Sequence, residues 1–559
     1  MLNNEISIYS RSSTLHVEIL FERRSGLVII HLIFANIHYP HVHLMENDQQ
    51  QPLLSGDTCR NNYTHLPAAA SDSSQKGEEE VDVQINGVGD FCREVYMESK
   101  RLWYLAGPAI FASFCQYTIG ATTQLFAGQL GTLQLAAVSV ENSVIANFSY
   151  SILSGMGSAL ETLCGQAYGA RKIEMLGLYL QRSWIILNTT ALALTFTFIF
   201  GVSILRLLGQ TAAIATAAGS FAVLMIPQLF AYATVIPISK FLQSQCNIMP
   251  IALIALVAVV SHVFLSWVFI VKLGWGLTGA AVVLDGSWWF IALAQVTYVL
   301  WGSCGQAWSG FTWKAFSNLK GFIHISFTTA IMFCLESWYV MSLVLFAGNF
   351  QNAEASVDAL SVCINILGWA CMVSLGLNVA VSVRVSNELG YRRPKTARLS
   401  VIVVTLNSLL IGALFTTLLL VYKKQYPAYF TNSNEVMQLV EELTLLLGAS
   451  IVIYNTVSVL SGVAIGAGWQ SAVAFMNIGS YICVGIPLSL LLGFKFDMGV
   501  KGIWYGLVSG ASVQCFLLFL MVFRTNWNEE ANIAEDRIQR WGGETRVKEI
   551  DEEGKATKW

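Results

Sequence analysis

From residue 101 onward, apolar runs of membrane-spanning length alternate with short polar breaks. A helix needs about twenty mainly apolar residues to cross a bilayer. Twelve runs meet that length, near 103–126, 134–160, 175–205, 213–238, 249–272, 277–301, 321–348, 354–385, 397–422, 437–462, 470–493 and 499–523. The expected fold class is therefore an all-α membrane protein with twelve transmembrane helices. Charged residues make up 12% of the chain, against about 25% in a soluble domain. Membrane lipid is the surrounding this composition calls for. A net charge of −3 with no basic stripe gives nucleic acid no place as a partner.

An even number of spans puts both termini on one side. The breaks after spans 2, 4, 6 and 8 carry Arg171 and Lys172, Lys240, Lys314 and Lys320, and Arg392, Arg393, Lys395 and Arg398. The breaks after spans 1 and 7 carry none, although Arg206, Lys272, Lys423, Lys424 and Lys495 run against the trend. Positive residues stay cytosolic, so both tails are expected in the cytosol. The chain divides accordingly into a disordered N-terminal tail (1–100), an N-lobe (101–305), a cytosolic linker (306–320), a C-lobe (321–523) and a C-terminal tail (524–559). Residues 1–44 read as an upstream extension, since Met45 opens a more ordinary cytosolic tail. His38, His41 and His43 in that stretch are expected to be plain tail residues.

The chain also repeats itself. GLTGAAVV at Gly276 answers GVKGIWYG at Gly499, and GQAYGARK around Gly169 answers SNELGYRR around Gly390. The offsets, 499 − 276 = 223 and 390 − 169 = 221, are nearly equal, which argues for a duplicated six-helix unit. An even number of spans per unit gives a parallel repeat about an axis along the membrane normal. Two homologous lobes facing each other across a cleft make an alternating-access design.

Glu336 is the one acid in Gly321–Gly348. An ionised carboxylate at bilayer depth costs about 2.5–3.5 kcal/mol on insertion scales, so Glu336 is the first candidate for function, as a proton-coupling group. Asn365 in span 8 is an amide at depth. Burying it without partners is expensive, and Glu336 is its expected partner. Tyr339 lies one helical step from Glu336 and shares its face, whereas Trp338 does not. Glu141 and Asp285 lie about two turns into spans 2 and 6 from the luminal side, and His262 in span 5 reads as a satisfied interhelical group. The small residues of GMGSALETLCGQAYGA let helices approach closely, and Arg384, Asn387 and Glu388 are expected to lock a cytosolic helix end. No CxxC pair, zinc-like Cys/His spacing or phosphate loop is present, so neither metal nor cofactor is expected. Cys115, Cys334, Cys363, Cys371, Cys483 and Cys515 read as packing residues. A membrane-embedded enzyme would need a catalytic polar cluster at one membrane face, and the sequence offers none.

SGMGSALETLCGQAYGA (154–170), LYLQRSWIIL (178–187), KFLQSQ (240–245), CLESWY (334–339), AVSVRVSNELG (380–390), VLSGVAIGAGWQ (459–470) and the tail TNWNEEANIAEDRIQRW closely resemble plant multidrug and toxic compound extrusion (MATE) transporters, over about 95–541. VSVENSVIA (138–146) resembles the branch with vacuolar flavonoid and anion carriers. The resemblance implies two six-helix lobes, a central cavity and antiport of small organic solutes, flavonoid-like metabolites or xenobiotics, against protons. Asp285 departs from the family, which more often has an amide or small residue there. Some plant relatives add an acid in span 10, at the position of Tyr454, with Asn455 beside it. This chain lacks that second carboxylate. A second reading keeps the scaffold and makes it an anion (chloride) conductor.

Two smaller expectations concern the tails. Leu53 and Leu54, in ENDQQQPLL (46–54), approximate a dileucine sorting signal, which with VSVENSVIA favours the vacuolar over the plasma membrane. Trp527, Ala531, Ala534, Ile538 and Trp541 recur at steps of four and three, with Glu529, Glu530, Asp536 and Arg537 largely opposite. That pattern predicts an amphipathic helix along the cytosolic leaflet. The protein is expected to be a monomer.

Overall fold

The computed structural model describes residues 82–83, 87–317, 319–347, 353–431 and 433–541. The expectations for His38, His41, His43, Met45, Leu53 and Leu54 lie outside the described residues. Among the described residues there is no strand. Spans 1, 2 and 3 are Val88–Leu130, Thr132–Val140 with Asn147–Gly169, and Glu174–Ile199. Spans 4, 5 and 6 are Ala212–Leu224 with Ile226–Ser244, Met249–Lys272 and Gly276–Gly302. The second lobe runs through Leu319–Ala347, Ala353–Gly390, Pro394–Val421, Asn434–Ala467, Gln470–Lys495 and Gly499–Arg524.

Among the described residues, nine helices are long and apolar enough to cross a membrane, and the bent pair of span 4 makes a tenth. The helices of spans 1 and 2 are long enough but less apolar. In span 2 the reason is visible, because every residue from Gly155 to Ala167 is buried. That helix meets protein rather than lipid, and small and polar residues replace the leucines that lipid would select. Span 1 begins at Val88, inside the segment expected to be tail, because its early turns dock on span 8.

The duplication extends to the backbone. Arg171 and Arg392 both take left-handed φ, 59° and 58°, at an offset of 392 − 171 = 221. Gly274 and Asp497 (66° and 53°), and Gly276 and Gly499 (59° and 57°), repeat at 223. Each pair marks the same turn made twice, after spans 2 and 8 and before spans 6 and 12.

The two copies of the glycine motif face each other at the end of the lobes that carries the basic turns. A Cβ on Gly169 would collide with the Asn387 carbonyl oxygen, and one on Gly390 with that of Gln166. Asn387 and Gln166 are themselves equivalent, at 387 − 166 = 221, so the contact is reciprocal. Gln166 donates to the Gly466 carbonyl at 3.2 Å, and Gln470 to the Thr162 hydroxyl at 2.8 Å. This end of the cleft is closed. Gly169→Val pushes on backbone, which rotamers cannot relieve, and should destabilise by at least about 2 kcal/mol. A thermal-shift measurement on the purified protein checks this.

The C-terminal stretch Trp527–Trp541 is helical and strongly amphipathic, as the spacing predicts. Its apolar stripe does not lie on the leaflet. Trp527, Ala531, Ala534 and Ile538 are buried against the protein, with the Trp527 ring 5.7 Å from that of Trp469. Arg537, expected on the solvent face, reaches Gln166 Oε1 at 2.9 Å and the Ala467 carbonyl at 3.2 Å. Gly468, at φ 86°, leaves the space its guanidinium fills. Arg392 and Glu535 make a further ion pair. Periodicity gave the helix correctly, but it could not choose between lipid and protein as the cover. Truncation after Arg524 should lower both abundance and thermal midpoint, and an unchanged midpoint would contradict this docking.

Candidate functional site

Span 7 and span 1 bring the lobes together. Gly155 of span 2 leaves room for the backbone of Thr329 and Ala330 in span 7, and Ser151 hydrogen-bonds Ser337 at 2.9 Å. One turn away the Phe148 and Trp338 rings stack at 6.0 Å. Across the other seam, Phe114 and Tyr117 of span 1 pack on Trp369 of span 8 at 5.7 and 5.2 Å. Glu336 lies on span 7, next in sequence to Ser337 and two residues before Trp338.

The Glu336 side chain is half-buried. Among the described residues it has no hydrogen-bond or salt-bridge partner. It lies within electrostatic range of the Tyr454 and Tyr481 hydroxyls and of the Cys371 thiol, and Cys371 in turn is within range of Tyr117 in the other lobe. The group is thus one carboxylate facing neutral hydroxyls and a thiol at the lobe interface.

Two expected neighbours do other work. Asn365 donates its amide to the Ser361 carbonyl, one turn back on its own helix, at 2.8 Å. The expected Asn365–Glu336 bond is not made, because the helix backbone satisfies the amide locally. Tyr339 shares the helix face with Glu336, yet it turns into the C-lobe core. Its hydroxyl donates to the Leu507 and Gly506 carbonyls at 2.8 and 3.1 Å, its ring stacks on Tyr481 at 4.2 Å, and Gly485 and Gly510 make room for it. A solute cannot stack on that ring. Tyr454 and Asn455 are buried, each with a polar oxygen that has no hydrogen-bond partner.

Three residues near Glu336 escaped the sequence reading. Tyr481 donates to Gln514, Gln514 to Asn477 at 2.6 Å, and Asn477 to the Met332 carbonyl at 3.2 Å. This chain of bonds ties spans 7, 11 and 12 together around the carboxylate. The signal was available, since Asn477 and Gln514 are amides inside apolar runs and need partners for the same reason as Asn365.

Glu141 is buried in the N-lobe with Oε1 lacking a hydrogen-bond partner, and Asp285, also in the N-lobe, has a buried Oδ1 without one. His262 is satisfied, as expected, by Thr123 at 3.1 Å and Ser287 at 2.8 Å. At the closed end Arg384 pairs with Glu98 at 2.8 Å and Glu388 at 2.6 Å, and Asn387 donates to the Ser244 carbonyl at 3.2 Å. Lys240 pairs with Glu161 at 2.6 Å.

Two repeated helical lobes, closed against each other at one end and carrying a lone carboxylate at their interface, define a membrane transporter. The comparisons with known proteins agree. The MatE family model matches residues 108–268 and again 329–491. The starts differ by 329 − 108 = 221 and the ends by 491 − 268 = 223, the offsets of the internal repeat. Protein DETOXIFICATION 29 of Arabidopsis thaliana is 57% identical over 467 residues, 83% of this chain and 93% of that protein. Protein DETOXIFICATION 30 of the same organism is 56% identical over 460 residues, covering 82% and 92%. The crystal structure of the eukaryotic MATE transporter AtDTX14 superposes with a TM-score of 0.77 at 32% identity, covering 80% of this chain and 100% of that one. The chain belongs to the MatE family. It is a multi-pass membrane transporter rather than an enzyme, of a family that moves small organic solutes by antiport.

Proposed function

We propose that this protein is a proton-coupled antiporter that moves flavonoid-like metabolites or xenobiotics from the cytosol into the vacuole by alternating access. The observation that carries the reading is Glu336, half-buried at mid-span on the lobe interface with no hydrogen-bond or ion-pair partner among the described residues. A carboxylate at bilayer depth that is not paired must take up a proton or meet water. It is loaded from the acidic lumen and discharges when the cleft opens to the cytosol. About two pH units supply about 2.7 kcal/mol per proton, enough for roughly hundredfold accumulation at one proton per solute.

Tyr454 and Asn455 are the polar cavity groups closest in kind to Glu336, and Asn365 lies further along the same wall. With Tyr454 rather than a carboxylate at that position of span 10, Glu336 is the coupling group of the C-lobe. The Lys/Arg bias supports cytosolic termini, with an N-lobe at 101–305, a linker at 306–320 and a C-lobe at 321–523. The protein works as a monomer, since each chain carries both lobes. The names of the DETOXIFICATION relatives fit xenobiotics among the solutes, and the spans offer too few Arg or Lys for an organic trianion such as citrate.

The test is an uptake screen in liposomes with an acidic lumen, covering glycosylated flavonoids, alkaloids, citrate and chloride. Gradient-dependent uptake of a planar organic solute is the expected result. Large currents insensitive to pH, without solute uptake, would replace the antiporter with an anion conductor. A fluorescent fusion starting at Met45 should mark the vacuolar membrane. Clean plasma-membrane signal would turn sequestration into export from the cell.

A further inference from the structure

The segment joining spans 6 and 7 displays large aromatic rings where a water-facing loop would hide them. Phe311, Trp313 and Phe316 are 62%, 80% and 52% exposed. The rings touch one another, with centroids 5.4 Å apart for Phe311 and Trp313 and 5.7 Å apart for Trp313 and Phe316. A joined apolar patch of this kind marks an interaction surface, whereas single scattered rings do not.

The patch is built rather than frayed. The Gln181 side chain of span 3 clamps the segment twice, donating to the Gly310 carbonyl and accepting from the Thr312 N–H, each at 2.8 Å. Ala307 and Ala315 are buried, and the Ala307 carbonyl occupies the space that a side chain at Gly177 would need. The Trp308 ring packs edge-on against that of Trp184 at 5.8 Å. These contacts also set the depth. Span 3 begins at Glu174, and a rise of about 1.5 Å per residue puts Gln181 about 10 Å and Trp184 about 15 Å along it. The segment therefore folds back beside the first turns of a membrane span, and its rings stand at the border between water and acyl chains.

Charge selects the occupant. Lys314 lies inside the patch and Lys320 opens span 7, both exposed. No Asp or Glu occurs between Asp285 and Glu336, and among the described residues neither lysine has a carboxylate partner. A second copy of this chain meeting the patch symmetrically would set lysine against lysine. Aromatic rings at the headgroup level with lysines beside them suit an anionic lipid surface. We infer that Phe311, Trp313 and Phe316 enter the headgroup–acyl boundary of the adjoining leaflet, and that Lys314 and Lys320 bind the phosphates of anionic phospholipids there. This interfacial platform depends neither on Glu336 nor on the direction of transport.

Tryptophan fluorescence of the full-length protein in vesicles tests this. Trp313→Phe keeps a ring in the patch, and the light it removes isolates Trp313 among the 16 tryptophans. That light should be quenched by phospholipid brominated on the upper acyl chain and spared by acrylamide in the water. Brominated phosphatidylserine diluted in plain phosphatidylcholine should reach Trp313 in preference to the reverse mixture, by about fivefold for each lysine. Lys314→Gln with Lys320→Gln should abolish that preference and leave the ring in the bilayer. All three side chains are exposed, so the variants should keep the wild-type thermal midpoint. Quenching by acrylamide alone would place Trp313 in water and overturn the platform. Shielding from both quenchers would mean that a second copy covers the patch, and would overturn the lipid as occupant. Equal quenching by the two mixtures would overturn the anionic headgroup as ligand.

Discussion

Arg384→Ala is expected to destabilise the protein by about 3–5 kcal/mol, the usual effect of removing one partner from a buried ion pair. Arg384 is buried at the closed end of the cleft, and its guanidinium holds Glu98 of span 1 and Glu388 of its own helix, both fully buried. The alanine variant leaves two carboxylates facing each other in a low-dielectric site. The Ser400 hydroxyl also donates to Glu98. Adding Glu98→Gln to Arg384→Ala should recover part of the loss, which a thermal-shift series measures. A double variant no more stable than Arg384→Ala would mean that packing, not charge, holds this end.

Glu336→Gln is expected to keep the fold and to lower pH-driven solute uptake by at least a hundredfold at equal protein in the membrane. Glutamine preserves shape and one hydrogen-bonding oxygen but cannot exchange a proton. Among the described residues the carboxylate has no ion pair to lose, so the change leaves no uncompensated charge behind, unlike Arg384→Ala. Downhill exchange of labelled for unlabelled solute should survive in the variant, because the lobes still rock. Full gradient-dependent uptake by Glu336→Gln would remove this residue from the mechanism.

The spans, their order and the duplication were legible because apolar length and sequence offset are local properties. The backbone repeats them, down to left-handed Arg171 and Arg392. Span 2 shows where hydropathy alone falls short, since a helix buried in protein need not look like one facing lipid. The site was legible as single residues and not as neighbours. Glu336 stands out by charge, but helix spacing cannot say which side of a face a ring turns to, and Tyr339 turns away into the core. Nor does it say whether an amide such as Asn365 satisfies its own backbone before reaching across. Tyr481, Gln514 and Asn477 join one another and the Met332 carbonyl only through the packing of spans 7, 11 and 12, which no local pattern encodes.

The central claim is that solute entry and proton exit are one process. Liposomes with an acidic lumen, an internal pH dye and a clamped membrane potential measure both at once. On addition of a transported solute outside, the lumen should alkalinise in step with uptake, in fixed proportion, and neither signal should appear with Glu336→Gln. Solute accumulation by the wild-type protein with no movement of protons would contradict the account.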